Sequence, residues 1–431
     1  MGSSKRTVIS NGTLIDGTGR PSRTNGAIVI EGRRIAQILD DAKKLAAQPG
    51  DVVIDADGKF VMPGLIDGHV HISSHQGALP GIRHTSTPEF ASLWSARAVA
   101  KVLRSGVTGI SVPGGKFYVD VTVREAVDAG LIEGPRIFCA GRALTPFGGI
   151  FDAAGLNSYE APADSVGLLC HSAIDYVREA RRQCKRGVNM IKIADSYWGD
   201  TQTVTEEEIR AVVDEAHRRN VVVSIHSRGG GTTRAAARAG VDWIFHADLA
   251  TDDDLEAVAE AGVPIMPAFT QCAIIAELDE RKGFGSSMRS RIHDQLQQNY
   301  EAIRKAHKLG IEILVGTDSG NAAAFEYGKH HARELEILVK EIGFTPIEAI
   351  VAATSANAKV IGLAGEVGTV EAGKLADITI WDADPVADIR VLQQADKLYT
   401  VMKDGRVIDR SFEGFRHLEV EPSRANILSQ G

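Results

Sequence analysis

The segment VMPGLIDGHVHI, Val61 to Ile72, decides the fold because an apolar, strand-like run ends in two histidines, His69 and His71. Side chains alternate between the two faces of a β-strand, so residues two apart point in the same direction. Burial disfavours the charged form of an imidazole, and two neutral imidazoles side by side are well suited to bind a metal ion. We therefore interpret this segment as a strand that presents metal ligands at its carboxyl end.

Seven further strand-like runs follow along the chain, with helical patterns between several of them. The eight runs are GLIDGHVHI, GVTGISVPGG, GPRIFCAG, VNMIKIADS, VVVSIHSRGG, VDWIFHADL, VPIMPAF and IEILVGTDS. Strands that alternate with helices are typical of a parallel sheet, and eight such units predict an α/β fold, a (β/α)8 TIM barrel, over residues 63–365. Thr205 and Thr232 precede helical patterns and are expected to cap those helices.

Short β-branched runs separated by Asn-Gly, Asp-Gly and Glu-Gly pairs occupy the first 60 residues and return after Gly368. Such pairs are typical of tight turns between antiparallel strands. The two chain ends therefore predict one small β-sandwich domain, built from residues 1–62 and 366–431.

Composition excludes several classes of partner. The net charge is −8, so no basic surface is expected to bind nucleic acid or an anionic membrane. No apolar run approaches the roughly 18 residues that a membrane-spanning helix needs. The four cysteines lie far apart and form no close pair, which is typical of a reducing compartment. We expect a cytoplasmic protein that acts on a small-molecule substrate.

Polar side chains stand near the carboxyl ends of five predicted barrel strands, where the active sites of such barrels lie. These residues are His69 and His71 on the first strand, Lys192 on the fourth, His226 on the fifth, His246 on the sixth and Asp318 on the eighth. Imidazoles and a carboxylate suit divalent transition metals such as zinc, and this set exceeds what one tetrahedral ion requires. Two metal ions are therefore expected. Lysine fits between two cations only if carbon dioxide has carboxylated its amine into an anionic bridge.

These residues, together with the segments PGLIDGHVH and AGKLADITIWD, resemble the amidohydrolase superfamily across nearly the whole chain. The closer resemblance is to its binuclear, carboxylated-lysine group, near imidazolonepropionase-like, Xaa-Pro dipeptidase-like and N-acyl-amino-acid or ochratoxin-hydrolysing enzymes. It implies that His69, His71 and Asp318 hold the more buried metal, that His226 and His246 hold the other, and that carboxylated Lys192 bridges them. By the same analogy we expect a homo-oligomer.

The resemblance also implies a reaction. A water shared by two metals ionises near neutral pH, and the resulting bridging hydroxide attacks the carbonyl carbon of an amide-type C–N bond. Asp318, which lies within reach of that hydroxide, is expected to carry its proton to the leaving nitrogen.

Substrate contacts are predicted from position. Arg228 lies two residues beyond His226 and could clamp a substrate carboxylate, while Tyr197 and Trp198 could form an aromatic wall. His330 and His331 follow the eighth strand and are also expected near the substrate. Family dipeptidases often have His or Tyr in place of this arginine, and the segment ADSYWGD replaces a Gly-rich stretch. N-acyl amino acids, dipeptides and xenobiotic amides, carbamates or ureas therefore all remain open.

Three other functions compete with amide hydrolysis. A mononuclear deaminase of a heterocycle usually has Glu three residues after the fifth-strand histidine, and here that position is Gly229. A scaffold that has lost its metals would have lost ligands, whereas all six ligand positions are occupied. An ester, lactone or phosphotriester hydrolase would use the same bridging hydroxide, so only the pocket distinguishes it.

Overall fold

The computed structural model describes residues 6–46, 48–74, 87–153, 158, 160–278, 286–320 and 326–411. The last 20 residues of the predicted terminal domain lie outside the described residues. Within this part of the chain, none of the helices has the length and apolar character needed to cross a bilayer.

Strands and helices alternate through much of the middle of the chain, and strands predominate toward both ends of the described residues. The strands are β1 (Arg6–Leu14), β2 (Arg23–Glu31), β3 (Arg34–Leu39), β4 (Val52–Asp55), β5 (Phe60–Pro63), β6 (Leu65–Asp67), β7 (Val107–Val112), β8 (Arg136–Cys139), β9 (Ala143–Thr145), β10 (Gly167–Leu169), β11 (Met190–Ala194), β12 (Val222–Ser227), β13 (Trp243–His246), β14 (Ile265–Met266), β15 (Ile378–Trp381), β16 (Leu398–Lys403) and β17 (Arg406–Val407). The helices are α1 (Pro88–Arg104), α2 (Val119–Asp128), α3 (Ala173–Lys185), α4 (Glu206–His217), α5 (Thr232–Ala239), α6 (Asp252–Ala261), α7 (Phe269–Glu277), α8 (Ser286–Lys308), α9 (Arg333–Ile337), α10 (Pro346–Val351) and α11 (Asn357–Val360).

Parallel strands form the TIM barrel in two arcs, β6-β7-β8 and β10-β9-β11-β12-β13-β14. Residues 312–319 take the place of the eighth strand. Backbone hydrogen bonds connect the arcs and this segment: Asn189 N to Cys139 O (2.8 Å), Ile265 N to Glu312 O (3.0 Å), Gly68 N to Val315 O (2.9 Å) and His71 N to Ser319 O (2.7 Å). The predicted barrel is thus confirmed, with an eighth strand held by isolated bridges instead of a continuous ladder.

Two predicted helix caps show how far the local sequence alone predicts where a helix begins. Thr205 caps α4 in a reciprocal capping box with Glu208, as predicted. The prediction for Thr232 is wrong, because the cap of α5 is Gly231, with φ of 85°, and Thr232 is the first helical residue. Glycine adopts this left-handed conformation without steric cost, so the chain turns one residue earlier than the threonine suggested.

Strands from both chain ends form the small β-sandwich domain. They hydrogen-bond in the order β17-β16-β15-β5-β1-β2-β3, and β4 also pairs with β1. A bridge between Arg34 and Leu375 joins the edge strand β3 to the segment that enters β15, so the sheet folds over its own apolar face. Apolar residues from both ends, such as Ile9, Ile30 and Ile378, share one hydrophobic cluster there. The predicted boundaries at residues 62 and 366 stay predictions.

A buried carboxylate beneath α7 should make stability depend on pH. Glu334 accepts hydrogen bonds from Phe269 N (2.9 Å), Thr270 N (2.8 Å) and Thr270 Oγ1 (2.6 Å). Burial nevertheless raises its pKa to about 7, above the ordinary value near 4.5. Protonated Glu334 therefore stabilises the fold below pH about 4.5, and this contribution, about 3 kcal/mol in full, is lost as pH rises through about 7.

The variant Glu334→Gln should lack this dependence because its side chain does not ionise. Urea unfolding of both proteins at pH 5, 6, 7 and 8 measures the effect. We expect the wild-type free energy of unfolding to fall relative to the variant across this range. A constant difference between the two proteins would contradict the assignment.

Candidate metal centre

The first three predicted ligands converge on one point at the carboxyl end of the barrel. His69 and His71 follow β6, and Asp318 lies in the eighth-strand segment. Their ligand atoms form a triangle: His69 Nε2 and His71 Nε2 are 3.2 Å apart, and they lie 3.3 and 3.2 Å from Asp318 Oδ1. Two ligands about 2.1 Å from one tetrahedral zinc ion would lie about 3.4 Å apart. The spacing therefore fits a single ion, and these three residues form a candidate metal site.

The two remaining histidines stand beside this triangle. His226 is the penultimate residue of β12 and His246 is the last residue of β13, and their rings meet edge to face with centroids 4.5 Å apart. The His246 ring lies 5.6 Å from that of His69. Their ligand atoms do not belong to the compact triangle, so the structure places them as a neighbouring pair.

Lys192, in the middle of β11, lies next to both groups. Its Nζ atom is 3.5 Å from the centre of the Phe245 ring, and the centroid of that ring lies 4.3 Å from that of His69. The side chain is buried, and Nζ has no hydrogen-bond partner among the described residues. A buried amine without partners is costly, and a carboxylate group added to it could bind cations. The donor set thus fits the two-metal group that the resemblance implies.

Hydrogen bonds to backbone carbonyl oxygens orient three of the rings. His71 Nδ1 contacts the carbonyl oxygen of Gly114 at 2.9 Å, and His246 Nδ1 contacts that of Pro267 at 3.3 Å. His226 Nε2 lies 3.3 Å from the carbonyl oxygen of Ser196. Such contacts commonly fix the tautomer and direction of metal-binding histidines.

Burial sets the charge state of the basic groups. It lowers the pKa of His69, His226 and His246 well below the ordinary range, with smaller contributions from neighbouring cations. Burial likewise lowers the pKa of Lys192, against an opposing effect of the Asp318 charge. Neutral imidazole is the form that binds metal ions.

Backbone strain marks two of the strand ends. His246 has φ of 72° and Asp318 has φ of 55°, a left-handed conformation uncommon for residues other than glycine. Strain of this kind persists only where the surrounding structure enforces it, and it clusters at functional sites.

Asp67, to which the sequence assigned no role, is hydrogen-bonded to residues on both sides of the candidate metal site. Its Oδ1 accepts from His69 N (3.1 Å) and Thr317 N (3.0 Å), while Oδ2 accepts from Thr317 Oγ1 (2.5 Å) and His331 Nδ1 (2.7 Å). The carboxylate therefore ties the first strand to the eighth at the residues next to the candidate ligands. The signal in the sequence was its position two residues before His69, in the same predicted strand.

We predict that Asp67→Asn lowers the free energy of unfolding by about 3 kcal/mol, because the new amide would face hydrogen-bond donors within the core. Affinity for zinc should fall by about tenfold or more as the ligand strands lose their link. Urea unfolding and a metal-competition titration measure the two effects.

Asp120→Asn is a matched control, since Asp120 is also fully buried but accepts from Gly141 N, at 2.7 Å, through only one oxygen. Burial raises the pKa of Asp120 to about 6, so removing its charge offsets the lost interaction. We expect a change below about 1 kcal/mol at pH 8. Equal losses in the two variants would show that the network around Asp67 has no special role.

The predicted substrate residues have different surroundings. Arg228 is buried and forms a two-point ion pair with Asp248. Tyr197 is 47% exposed and meets Trp198 edge to face at 4.6 Å. The Arg291 guanidinium lies 3.9 Å above the Trp198 ring.

The two histidines after the eighth strand differ from each other. His331 is buried, with Nδ1 bonded to Asp67 and Nε2 accepting from Gly328 N at 3.1 Å. His330 is half-buried, and burial lowers its pKa to about 4. Both ring nitrogens of His331 are engaged within the protein, and the substrate contacts of these two residues stay predictions.

Comparison with known proteins agrees with this architecture. Ochratoxinase from Aspergillus niger is 27% identical over 430 residues, which cover 94% of this chain and 86% of the ochratoxinase. A solved Xaa-Pro dipeptidase with methionine bound in its active site is 27% identical, with a TM-score of 0.81 over 94% of this chain and 99% of its own. A prolidase complexed with N-methylphosphonate-L-proline is 25% identical, with a TM-score of 0.83 over the same shares.

The model of the amidohydrolase family matches residues 60–408. This range contains the whole barrel, all six candidate ligands and the C-terminal strands of the sandwich. The chain therefore belongs to the amidohydrolase family, and it is a hydrolase.

Proposed function

We propose that this hydrolase cleaves an amide-type C–N bond in a small molecule with the help of two divalent metal ions. The observation that carries the proposal is the triangle of His69, His71 and Asp318, whose ligand atoms lie 3.2 to 3.3 Å apart at the carboxyl end of the barrel. Names of relatives support the bond type, since a dipeptidase and a prolidase act on amide-like bonds between amino acids.

The donors divide into two groups that would each hold one ion. His69, His71 and Asp318 would hold the more buried metal, and His226 with His246 the second. Lys192, once carboxylated by carbon dioxide, would bridge them from its position over Phe245. When bound, the pair of ions would polarise the substrate carbonyl and make a water ionise near neutral pH.

Asp318 would accept a proton from water and donate it to the leaving nitrogen. Its side chain is buried at the point where the two candidate metal histidines meet, so it can accept a proton from water on the substrate side. Protonated Asp318 would then donate to the nitrogen of the breaking bond, which converts it into a neutral amine leaving group. Attack on the carbonyl without this donation would require expulsion of an unstable nitrogen anion.

A hydrolysis screen of the zinc-loaded enzyme tests the proposal. The panels are N-acyl amino acids, Xaa-Pro dipeptides, aryl amides, aryl ureas and carbamates, with carboxylic esters and a lactone as comparison. We expect C–N cleavage in at least one panel, loss of activity with a chelator, and recovery with zinc. Activity confined to esters, or ammonia release from a heterocycle without carbonyl cleavage, would contradict it.

A further inference from the structure

A buried ion pair stands directly beyond the second pair of candidate ligands. Arg228 is two residues after His226, and Asp248 is two residues after His246. Arg228 Nε donates to Asp248 Oδ1 at 3.0 Å and Nη2 donates to Oδ2 at 2.6 Å. The two side chains are only 9% and 3% exposed. The pair is therefore a neutral unit that links the ends of β12 and β13.

Neighbouring segments hold Arg228 in this place. A β-carbon on Gly199 would lie 2.6 Å from Arg228 Cβ, so the loop after β11 packs directly on the arginine. Burial alone would lower the pKa of Arg228, but the charge of Asp248 raises it above its ordinary value. Arg228 is thus a fixed, compensated cation.

The pair borders the same space as the catalytic residues. The loop after β11, which packs on Arg228 through Gly199, also carries Tyr197 and Trp198, whose rings meet edge to face at 4.6 Å. This loop and the ion pair follow β11, β12 and β13, the strands that carry the candidate ligands Lys192, His226 and His246. A substrate that reaches Asp318 would pass this wall.

The arrangement disfavours an anionic substrate. The two-point edge of Arg228 formed by Nε and Nη2 is occupied by Asp248, so it cannot clamp a second carboxylate there. Releasing Arg228 would leave Asp248 buried without a counterion, which is strongly unfavourable. A substrate carboxylate beside the intact pair would gain no net attraction from it, because the charge of Asp248 cancels that of Arg228.

The outer cavity beside Trp198 does not supply the positive charge that a substrate carboxylate would need. It measures about 550 Å³ and is lined by Trp198, Asp200, Arg291 and Asp294 among others. Its single arginine, which stacks on Trp198, is accompanied by two aspartates. This cavity therefore offers no net positive charge to a carboxylate.

We infer that the part of the substrate lying against Arg228 and Asp248 is uncharged, so that neutral amides, carbamates or ureas are preferred over N-acyl amino acids and dipeptides with a free carboxylate. The inference rests on the proposed function and narrows its substrate class. Arg228 would then donate a hydrogen bond to a neutral oxygen, and Asp248 would act as a specificity-determining residue by cancelling the positive charge of Arg228.

Two pairs of compounds that differ only in charge test the inference. N-Benzoyl-L-phenylalanine and its carboxamide report hydrolysis through benzoate release. The corresponding N-benzenesulfonyl compounds lack the scissile acyl bond and report binding by calorimetry. For the zinc-loaded wild type we expect kcat/KM and affinity to favour the carboxamide by at least about tenfold.

Asp248→Asn should shift both ratios toward the carboxylate by about tenfold, because Arg228 becomes an uncompensated cation. The double variant Arg228→Met with Asp248→Leu removes both charges with apolar side chains of similar size, and it should retain the fold. This control should not gain carboxylate substrates as Asp248→Asn does. If Asp248→Asn does not fold, the wild type still tests the inference, because equal or tighter binding of the carboxylate than of the carboxamide would overturn it.

The outcomes separate the two proposals. Equal or tighter binding of the carboxylate by the wild type, or ratios unchanged in both variants, would overturn the inference while amide hydrolysis stands. Selective binding of the carboxamide without hydrolysis of any amide, carbamate or urea would overturn the proposed function and leave the recognition of an uncharged ligand in place.

Discussion

Replacement of Asp318 with asparagine is expected to lower kcat of the zinc-loaded enzyme by about 1000-fold, in the range typical of a lost general acid or base. Asparagine keeps an oxygen next to His69 and His71 but cannot carry the proton from water to the leaving nitrogen. KM should change little, because the substitution leaves the other residues that would bind the substrate unchanged. Steady-state kinetics together with metal analysis of the purified variant measure these effects.

Asp254→Asn is the matched control for this substitution. Asp254 is buried at the start of α6, where it accepts from Thr251 N and Oγ1 in a capping box. It tests whether loss of any buried carboxylate on this side of the barrel reduces activity. We expect kcat within about twofold of wild type, since such a cap affects only stability, by about 1 kcal/mol. Near-normal kcat in Asp318→Asn with full metal content would contradict the proton-carrying role.

Lys192→Met is expected to affect activity and stability in opposite directions. The variant removes the amine that carbon dioxide would modify, so kcat should fall by about 1000-fold or more and zinc content should drop from two ions per chain. The metal-free variant should be more stable than the metal-free wild type by about 1 to 2 kcal/mol. The reason is that a buried amine without a hydrogen-bond partner among the described residues is replaced by an apolar chain of similar length.

Two measurements check this prediction beyond activity. Urea unfolding after chelation gives the stability difference. Carbon NMR of wild type grown with labelled bicarbonate should show a carbamate signal that the variant lacks. Lys116→Met is a control, because Lys116 is a partly buried lysine after β7 whose pKa is also lowered by burial. Wild-type zinc content and turnover in Lys192→Met would refute the bridging role.

Sequence patterns predicted the fold and the family correctly for specific reasons. The spacing of His69 and His71 expresses strand alternation, which is a local property. The capping box of Thr205 and Glu208 is local as well. Repeated strand and helix patterns predicted the barrel because parallel strands require helical connections. The six candidate ligands could be named because each is a polar residue in or directly after a buried apolar run, although their roles in metal binding stay predictions.

The hydrogen-bond partners of residues around the candidate ligands could not be predicted in the same way. Asp67 bonds to His331 across 264 positions and to Thr317 across 250. Periodicity states which face a side chain takes, but it does not state which side chain stands opposite. Thr232 shows the same limit on a smaller scale, because a glycine one residue earlier accepted the positive φ that the turn required.

By itself the sequence determined that eight strand and helix units present imidazoles and a carboxylate at one end of a barrel, since alternation and helical periodicity are set by neighbouring residues. Only the tertiary structure decided that the ligand atoms of His69, His71 and Asp318 lie 3.2 to 3.3 Å apart. It also decided that Arg228 forms an ion pair with Asp248. Both arrangements depend on closure of the barrel, which brings strands together that the chain separates by up to 250 residues. The strained backbone at His246 and Asp318 is held by that closure as well.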